Sequence, residues 1–287
     1  MKDEPRHYAT AVAFRRALET RLKTMAQTEG IDLQRLRRQV SFDRLLARFF
    51  SEQNTPWLLK GGYAMELRLR TARTTKDIDL SLPSDAASDW KDRVLEHLQT
   101  TAIKDLKDFF IFTIGQPMMD LDAAPEGGAR YPVTVSLGGK LFTSFHLDVG
   151  IGDAAIQPTE LLEGRNWLGF AGINSTKFVT ISKEQQFAEK LHAYTLPRLE
   201  GKNSRVKDVV DMALLLRLGT LDLERLRQAI ATTFALRGTH VLPTLLPEPP
   251  ASWEAPFRTL AAECDLDWTL QEAVQRLRTF LSDQIAR

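Results

Sequence analysis

The sequence predicts an α+β protein with two domains, and three observations support this fold class. Short apolar or alternating runs typical of strands are interleaved with helical patterns up to residue 149, in a core domain of residues 1–160. Helical periodicity takes over from residue 182, in a mainly helical domain of residues 161–287. Between these regions, residues 150–176 are glycine-rich and irregular, which is typical of a junction.

Two helices are predicted near the N-terminus, over residues 8–28 and 31–51, because apolar residues recur there at helical spacing. Residues 11–50 contain nine Lys or Arg residues against four acids, a local excess in a chain whose net charge is +1. This excess suits either an ordinary solvated face or a face that binds RNA phosphates. The candidate RNA contacts are Arg35, Arg37 and Arg38.

A strand, a glycine pair and a helix come next. Trp57–Leu59 is predicted as a short buried strand that stops just before Lys60-Gly61-Gly62, and a helix is predicted over Tyr63–Arg70. A helix that begins after glycines can receive a phosphate on its backbone N–H groups. Gly61 and Gly62 are therefore candidate nucleotide-binding residues.

The following strand, within residues 74–82, carries Asp77 and Asp79. Residues i and i+2 of a strand point to the same face, so the two carboxylates lie side by side. They repel each other unless a cation lies between them, and oxygen ligands with room for phosphates suit Mg²⁺. The alternative is a pair of solvated carboxylates on an edge strand.

The rest of the core domain is predicted to contain a helix over Trp90–Thr101, a strand over Asp108–Ile114, a loop over Gln116–Gly128 and a β-hairpin. The hairpin strands, residues 131–137 and 141–149, flank Gly138-Gly139. Near the end of the second strand, Asp148 is the third candidate metal ligand, because two ions roughly 3.5–4 Å apart need about three carboxylates. The alternative is that Asp148 is a turn residue.

The C-terminal domain is predicted to begin with a helix that Ser182 and Gln185 cap and that runs to Thr195. A turn over residues 197–204 and a helix over Arg205–Leu218 follow, and helical patterns return in residues 221–236 and 254–285.

Three charged residues of these helices are candidates for function. Lys190 lies at the edge of an apolar stripe, where a lysine either binds a triphosphate or extends into solvent. Asp208 and Asp211 share one helix face. The two aspartates either have a function, or are ordinary solvated residues, or form a salt bridge with Lys207.

Composition excludes several classes of protein. One cysteine, Cys264, excludes an internal disulfide and a cysteine-based zinc cluster, and it fits a reducing compartment. No run approaches the roughly 18 apolar residues of a membrane helix, and the N-terminal residues lack the apolar region of a signal peptide. We therefore expect a cytoplasmic protein without a membrane segment.

These motifs resemble known families. Strand, Gly-Gly, helix and a strand with Asp-x-Asp resemble the core motif of the DNA polymerase β-like nucleotidyltransferases. Lys60-Gly61-Gly62 with Arg73-Thr74-Thr75-Lys76-Asp77-Ile78-Asp79 is similar to the first motif of the AbiEii/AbiGii-type nucleotidyltransferase toxins. Ala188–Ala193 resembles their lysine motif, and Arg205–Asp211 resembles the motif that ends in their functional aspartate. The likeness covers about residues 30–217.

The resemblance implies a polymerase β-like core, a mixed sheet with helices, followed by a helical C-terminal domain. It also implies a Mg²⁺-dependent toxin of a toxin–antitoxin or phage-defence system, which adds nucleotides from an NTP, often a pyrimidine nucleotide, to the 3′ end of tRNA. The implied partners are the tRNA acceptor end and a cognate antitoxin. Carried over by position, Asp77 and Asp79 hold metal, Lys190 holds the triphosphate and Asp211 completes the site.

Two residues near these motifs raise questions of specificity and control. Many nucleotidyltransferases have Gly-Ser where this chain has Gly62-Tyr63, which removes a hydroxyl contact to phosphate. Thr75 precedes Asp77 by two residues and is a candidate for nucleotide contact and for regulation, since a phosphate there would repel a triphosphate. The alternative for Thr75 is a β-favouring residue at the start of a strand.

Other functions stay open on sequence grounds. The same chemistry would serve to modify a protein or a small-molecule hydroxyl, and a catalytically silent binding module would keep the same fold. The acidic residues Asp77, Asp79 and Asp211, together with Lys190, argue against the silent module.

Overall fold

The computed structural model describes residues 5–52, 54–69, 72–82, 93–121, 124–197 and 205–284. The chain forms two compact units. The first comprises Met1–Leu67, Thr75–Gly152 and Leu161–Thr180, and the second comprises Arg68–Thr74, Asp153–Glu160 and Ile181–Arg287. The division differs from the expected boundary at residue 160, because residues 161–180 belong to the first unit.

The helices of the first unit are α1 (Ala11–Glu29), α2 (Leu33–Phe49), α3 (Gly61–Arg68), whose last residue belongs to the second unit, and α4 (Val94–Ala102). Thr10 and Asp32 begin α1 and α2 by accepting the backbone N–H groups of Ala13 and Arg35. Gly30 ends α1 in the left-handed conformation.

In the described residues, eight strands form one mixed sheet. They are β1 (Leu58–Lys60), β2 (Asp77–Leu82), β3 (Phe110–Ile114), β4 (Met119–Asp120), β5 (Gly128–Leu137), β6 (Lys140–Ile151), β7 (Glu160–Glu163) and β8 (Lys177–Thr180). Their order is β3-β5-β6-β2-β1-β8-β7, and β4 pairs with β5. β2 runs parallel to β6 and antiparallel to β1, so the predicted mixed sheet and α+β class are confirmed.

The sheet separates an apolar face from a polar one around β2 and β6. Ile78 and Leu80 of β2, with Leu147 and Val149 of β6, are at most 1% exposed and belong to the main core. The side chains between them alternate to the opposite face. Helix α2 packs against β6, where Phe42 and Phe145 make an edge-to-face contact with ring centroids 4.7 Å apart.

The helices of the second unit are α5 (Lys183–Thr195), α6 (Val206–Arg217), α7 (Leu223–Arg237), α8 (Glu254–Glu263) and α9 (Leu270–Gln284), and α5 packs against α6 and α7. Ser182 caps α5 by accepting the Gln185 N–H at 3.1 Å. The Gln185 amide donates to Thr233 instead of completing a capping box. The helical pattern over residues 254–285 divides into α8 and α9.

Several boundaries differ from the predicted ones. The stretch 150–176, expected to be irregular, contains β7 and a short 3₁₀-helix at Gly169–Ala171, and the loop 116–128 contains β4. Helix α3 begins at Gly61, and β2 begins only at Asp77, so Thr75 precedes the strand. The predicted start of a helix at Trp90 and most of the turn 197–204 lie outside the described residues.

In the part of the chain that the structure describes, no helix combines the length and the apolar character needed to cross a membrane.

Candidate active site

Strands β2 and β6 bring the three predicted carboxylates to one face of the sheet. In their parallel pairing, Asp79 lies opposite Asp148 and Asp77 lies opposite His146. Paired residues of neighbouring strands point to the same side, so Asp77, Asp79, His146 and Asp148 share the face opposite the core. We call these four residues the carboxylate face.

Gly61 lies directly against the Asp79 carboxylate. Its φ angle is +66°, in the left-handed region that glycine tolerates best. A Cβ atom at this position would lie 1.9 Å from Asp79 Oδ2, a distance too short for any residue other than glycine. The first turn of α3, which Gly61 and the buried Gly62 begin, is therefore closely apposed to one of the predicted metal ligands.

Arg130 lies beside the carboxylate face and was not among the predicted site residues. It lies opposite Asp148 in the antiparallel β5–β6 pair. Its Nε and Nη2 donate to the two carboxylate oxygens of Asp148, both at 2.7 Å, and Nη2 lies 3.6 Å from Asp77 Oδ2. Hydrogen bonding to Asp148 raises the pKa of Arg130 above its usual value, with attraction by Asp77 and Asp79 adding to the effect.

The donor set fits a hard divalent cation at Asp77 and Asp79. Both are oxygen ligands on one face, and Gly61 has no side chain that would displace the Asp79 carboxylate. As the side chains lie, however, no group of three His, Cys, Asp or Glu residues is arranged to hold a metal ion within the described ranges. Arg130 engages Asp148, and the His146 Nδ1 lies 3.2 Å from Asp77 Oδ1.

Tyr63 is buried beneath the glycine pair. Its hydroxyl donates to Asp43 Oδ1 at 2.6 Å, while the Arg165 backbone N–H donates to Asp43 Oδ2 at 2.9 Å. Burial raises the pKa of Asp43 to about 7, although the Tyr63 hydrogen bond opposes that rise. The Tyr63 hydroxyl is thus committed to the core and does not replace the serine contact to phosphate.

Thr75 is anchored at the start of β2. Its N–H donates to Glu66 Oε1 of α3 at 2.6 Å, and its hydroxyl donates to the Asp77 carbonyl at 3.3 Å. Thr75 is only 9% exposed. Burial raises the pKa of Glu66, against the hydrogen bond from Thr75.

Lys190 and Asp211 lie together in the second unit. The Lys190 Nζ is 3.1 Å from Asp208 Oδ1 and 3.1 Å from Asp211 Oδ2. Arg73 donates to both oxygens of Asp211 at 2.8 Å. We call Arg73, Lys190, Asp208 and Asp211 the lysine cluster.

Charge within the lysine cluster is balanced. Burial favours a neutral Lys190, but attraction by Asp208 and Asp211 outweighs it and raises the pKa of Lys190 above its usual value. Burial likewise opposes ionisation of Asp211, yet Lys190 and Arg73 hold its pKa below the usual range. Lys190, whose side chain is 16% exposed, is therefore a largely buried ammonium with two partners and not a fully solvated side chain.

Two of the arginines predicted to contact RNA form ion pairs with acidic residues of the same chain. Arg37 makes hydrogen bonds of 3.0 and 2.7 Å to Glu19, and Arg35 lies 3.5 Å from Glu66. Arg44 and Arg48 are also among the nine basic residues of residues 11–50, and both are buried against Asp108. The surplus of positive charge in residues 11–50 is therefore not a continuous free surface.

Comparison with known proteins places this fold and these residues in a class. Over residues 44–279 the sequence matches the family described as "Nucleotidyl transferase AbiEii toxin, Type IV TA system". That match covers most of the chain, so the chain belongs to the AbiEii family of nucleotidyltransferase toxins of type IV toxin–antitoxin systems. Membership implies an antitoxin partner.

The solved structure of MenT4 agrees with this at the level of the fold. MenT4, a nucleotidyltransferase toxin from Mycobacterium tuberculosis H37Rv, superposes with a TM-score of 0.57 at 18% identity, over 93% of this chain and 98% of that one. JHP933 from Helicobacter pylori gives a TM-score of 0.47 at 16% identity, over 88% and 95%. No curated protein matches the sequence.

The resemblance identified from the motifs is thus confirmed, and it extends further than the motifs did. The family match reaches residue 279 in α9, whereas the recognisable motifs ended near residue 217. Arg73 stood inside the first motif, but its pairing with Asp211 was not predicted. His146, which was not among the predicted site residues, lies on the carboxylate face.

Proposed function

We propose that this toxin transfers nucleotides from an NTP, preferably a pyrimidine nucleotide, to the 3′ end of tRNA in a Mg²⁺-dependent reaction, and so blocks translation in the cytoplasm. The observation that carries the proposal is the carboxylate face of β2 and β6, with Asp79 against the bare Cα of Gly61. Phosphoryl and nucleotidyl transfer depend mainly on positioning and charge neutralisation. A cation site beside a glycine turn suits that task.

Six of the predicted residues have a defined part in this proposal. Asp77 and Asp79 would hold Mg²⁺, which supplies positive charge to the phosphates of the nucleotide. The backbone N–H groups that follow Gly61 and Gly62 receive phosphate oxygens at the start of α3. Lys190 neutralises the triphosphate, and Asp211 orients Lys190 through their 3.1 Å ion pair.

There are two alternatives to this proposal. In the first the enzyme modifies a different substrate, and in the second the protein has no catalytic activity. A protein or small-molecule hydroxyl would need the same carboxylates but not a basic surface. The N-terminal basic excess of the sequence favours tRNA, but ion pairs within the chain reduce this support, since they engage Arg37, Arg44 and Arg48. A catalytically silent module would tolerate loss of the carboxylates, yet Asp77, Asp79, Lys190 and Asp211 are all present.

The antitoxin is proposed to act either by covering the carboxylate face or by phosphorylating Thr75. A phosphate there would add nearly two negative charges beside Asp77 and repel the triphosphate. Because the Thr75 hydroxyl is buried and donates to the Asp77 carbonyl, a kinase would need to open this turn first.

Incubation of the protein with total tRNA, Mg²⁺ and each labelled NTP in turn tests the proposal. We expect label in tRNA with a pyrimidine nucleotide, and none when the same tRNA has been oxidised by periodate at its 3′ end, because the terminal hydroxyls are then gone. Equal labelling of oxidised tRNA would exclude the 3′ end. Label that enters protein or a small molecule and not tRNA would favour the first alternative.

A further inference from the structure

Three carboxylates and one guanidinium meet on the carboxylate face. Asp148 has both oxygens engaged by Arg130, in a two-pronged geometry that is the strongest arrangement for an arginine–carboxylate pair. The side chains of Arg130 and Asp148 are 29% and 13% exposed, so solvent screens this pair only in part. Asp79 lies against Gly61, on the side of β2 that faces β1.

A second metal ion would have to displace this guanidinium. Arg130 directs an N–H group at each oxygen of Asp148, so it takes one lone pair of each oxygen and places a permanent positive charge where a second ion would lie. An ion held between Asp79 and Asp148 would also lie close to a permanent positive charge, since Arg130 is near Asp77 as well. Arg130 thus already supplies one unit of positive charge at the third carboxylate.

We infer that Arg130 takes the place of a second cation, so that this centre binds one divalent ion through Asp77 and Asp79, and Asp148 is the counterion of Arg130, not a metal ligand. This inference rests on the proposed function for its metal requirement. It revises the expectation of two ions and of Asp148 as a ligand. Arg130 becomes a positioning residue that sets how many ions the centre holds.

Binding of Mn²⁺ alone, counted by electron paramagnetic resonance without nucleotide or RNA, tests the inference. The wild-type protein should bind one ion, and Asp79→Asn should weaken that binding by about 10-fold or more. Arg130→Gln frees Asp148, so it should bind a second ion or bind the first several-fold more tightly. Arg130→Lys keeps a positive charge and should bind only one.

The decisive variant is Arg130→Gln/Asp148→Asn, which exchanges the charged pair for a neutral pair of similar shape. If Asp148 is only the counterion of Arg130, this double variant should return to one ion with an affinity within about twofold of the wild type. A loss as large as that of Asp79→Asn would show that Asp148 is a ligand and overturn the inference. Two ions, or none, in the wild type would also overturn it.

Thermal unfolding of each variant, followed by circular dichroism, separates metal effects from loss of fold. The double variant should unfold cooperatively, since it removes both members of the bidentate pair together. The ion count uses neither NTP nor tRNA, so its outcome is independent of the transfer assay. A protein that binds one ion but labels no tRNA would refute the proposed function and leave the role of Arg130 standing.

Discussion

Gly61 shows at the scale of one residue how the site excludes a side chain. Two constraints coincide there, a φ angle of +66° and an approach to Asp79 Oδ2 that leaves no space for a Cβ atom. The first constraint affects stability, while the second affects where the carboxylate lies. Gly30, at the end of α1, has nearly the same φ of +65° but no atom within 4 Å of its hypothetical Cβ.

Substitution of these two glycines by alanine separates backbone strain from displacement of the carboxylate. Gly30→Ala should lose roughly 1–2 kcal/mol of unfolding free energy from the left-handed conformation, and Gly61→Ala should lose more, because its Cβ atom also displaces Asp79. Only Gly61→Ala should also lose nucleotide transfer, because Asp79 must move. Chemical denaturation and the tRNA labelling assay measure the two effects. Full activity in Gly61→Ala would mean that the position of Asp79 does not matter.

Single residues also mark how far the sequence could predict this site. The position of Asp77 and Asp79 on one face follows from strand alternation alone, which depends only on the local sequence. Arg130 does not, because the β5–β6 register shifts at a bulge between Val135 and Ser136. Counting back from the Gly138-Gly139 turn without that bulge would place Ala129 opposite Asp148 and turn Arg130 to the other face.

At the scale of elements, helices α5 and α6 hold the lysine cluster together through charge. Lys190 on α5 lies between Asp208 and Asp211 of α6, and Arg73 reaches Asp211 from the segment between α3 and β2. Removal of one member of a buried ionic cluster leaves an uncompensated charge. A loss of activity after mutation of Lys190 therefore has two possible origins, one structural and one functional.

A charge-balanced variant distinguishes these origins. Lys190→Ala should lose roughly 3–5 kcal/mol of stability and bind NTP more weakly, whereas Lys183→Ala, at a partly exposed position in the first turn of α5, should change little. Lys190→Ala/Asp208→Asn should regain much of the stability, because Arg73 and Asp211 then balance. Its NTP affinity, measured by calorimetry, should stay low. Recovery of both properties would assign Lys190 to structure alone.

The N-terminal helices illustrate why charge counts overestimate a binding surface. The sequence shows the excess of Lys and Arg, but it does not show that Arg44 and Arg48 turn inward to Asp108 or that Arg37 reaches Glu19. These pairs join residues distant in the chain and depend on packing. In the described residues Arg38 has no ion pair, so it is the clearest of the three arginines for testing RNA contact.

Charge reversal of Arg38 tests whether α2 meets RNA phosphates. Arg38→Glu should weaken tRNA binding and reduce the slope of log affinity against log salt by about 1, without affecting NTP binding. Arg258→Glu on α8 makes the same change in net charge and serves as the control. Filter binding at several salt concentrations measures both. Identical slopes for the two variants would assign Arg38 to an ordinary solvated face.

At the scale of the whole molecule, the chain passes repeatedly between its two units. Residues 68–74 and 153–160 leave the first unit and contribute to the second before residues 75 and 161 return. Local patterns predict the elements and the α+β class, but they contain no signal for this exchange, since it depends on contacts between distant segments. The family match from residue 44 to 279 includes both units, so both belong to the toxin.

The central claim is that the carboxylate face of β2 and β6 is the centre of nucleotide transfer. The most direct measurement is the incorporation of labelled NTP into tRNA by the Asp79→Asn variant, with Asp120→Asn as the control. Asp120 is an exposed carboxylate on β4 of the same sheet. Asp79→Asn should reduce the rate by at least about 100-fold with an unchanged unfolding temperature, because it removes a proposed metal ligand and little packing. Asp120→Asn should keep the wild-type rate. Near-normal transfer by Asp79→Asn, or equal losses in both variants, would contradict the claim.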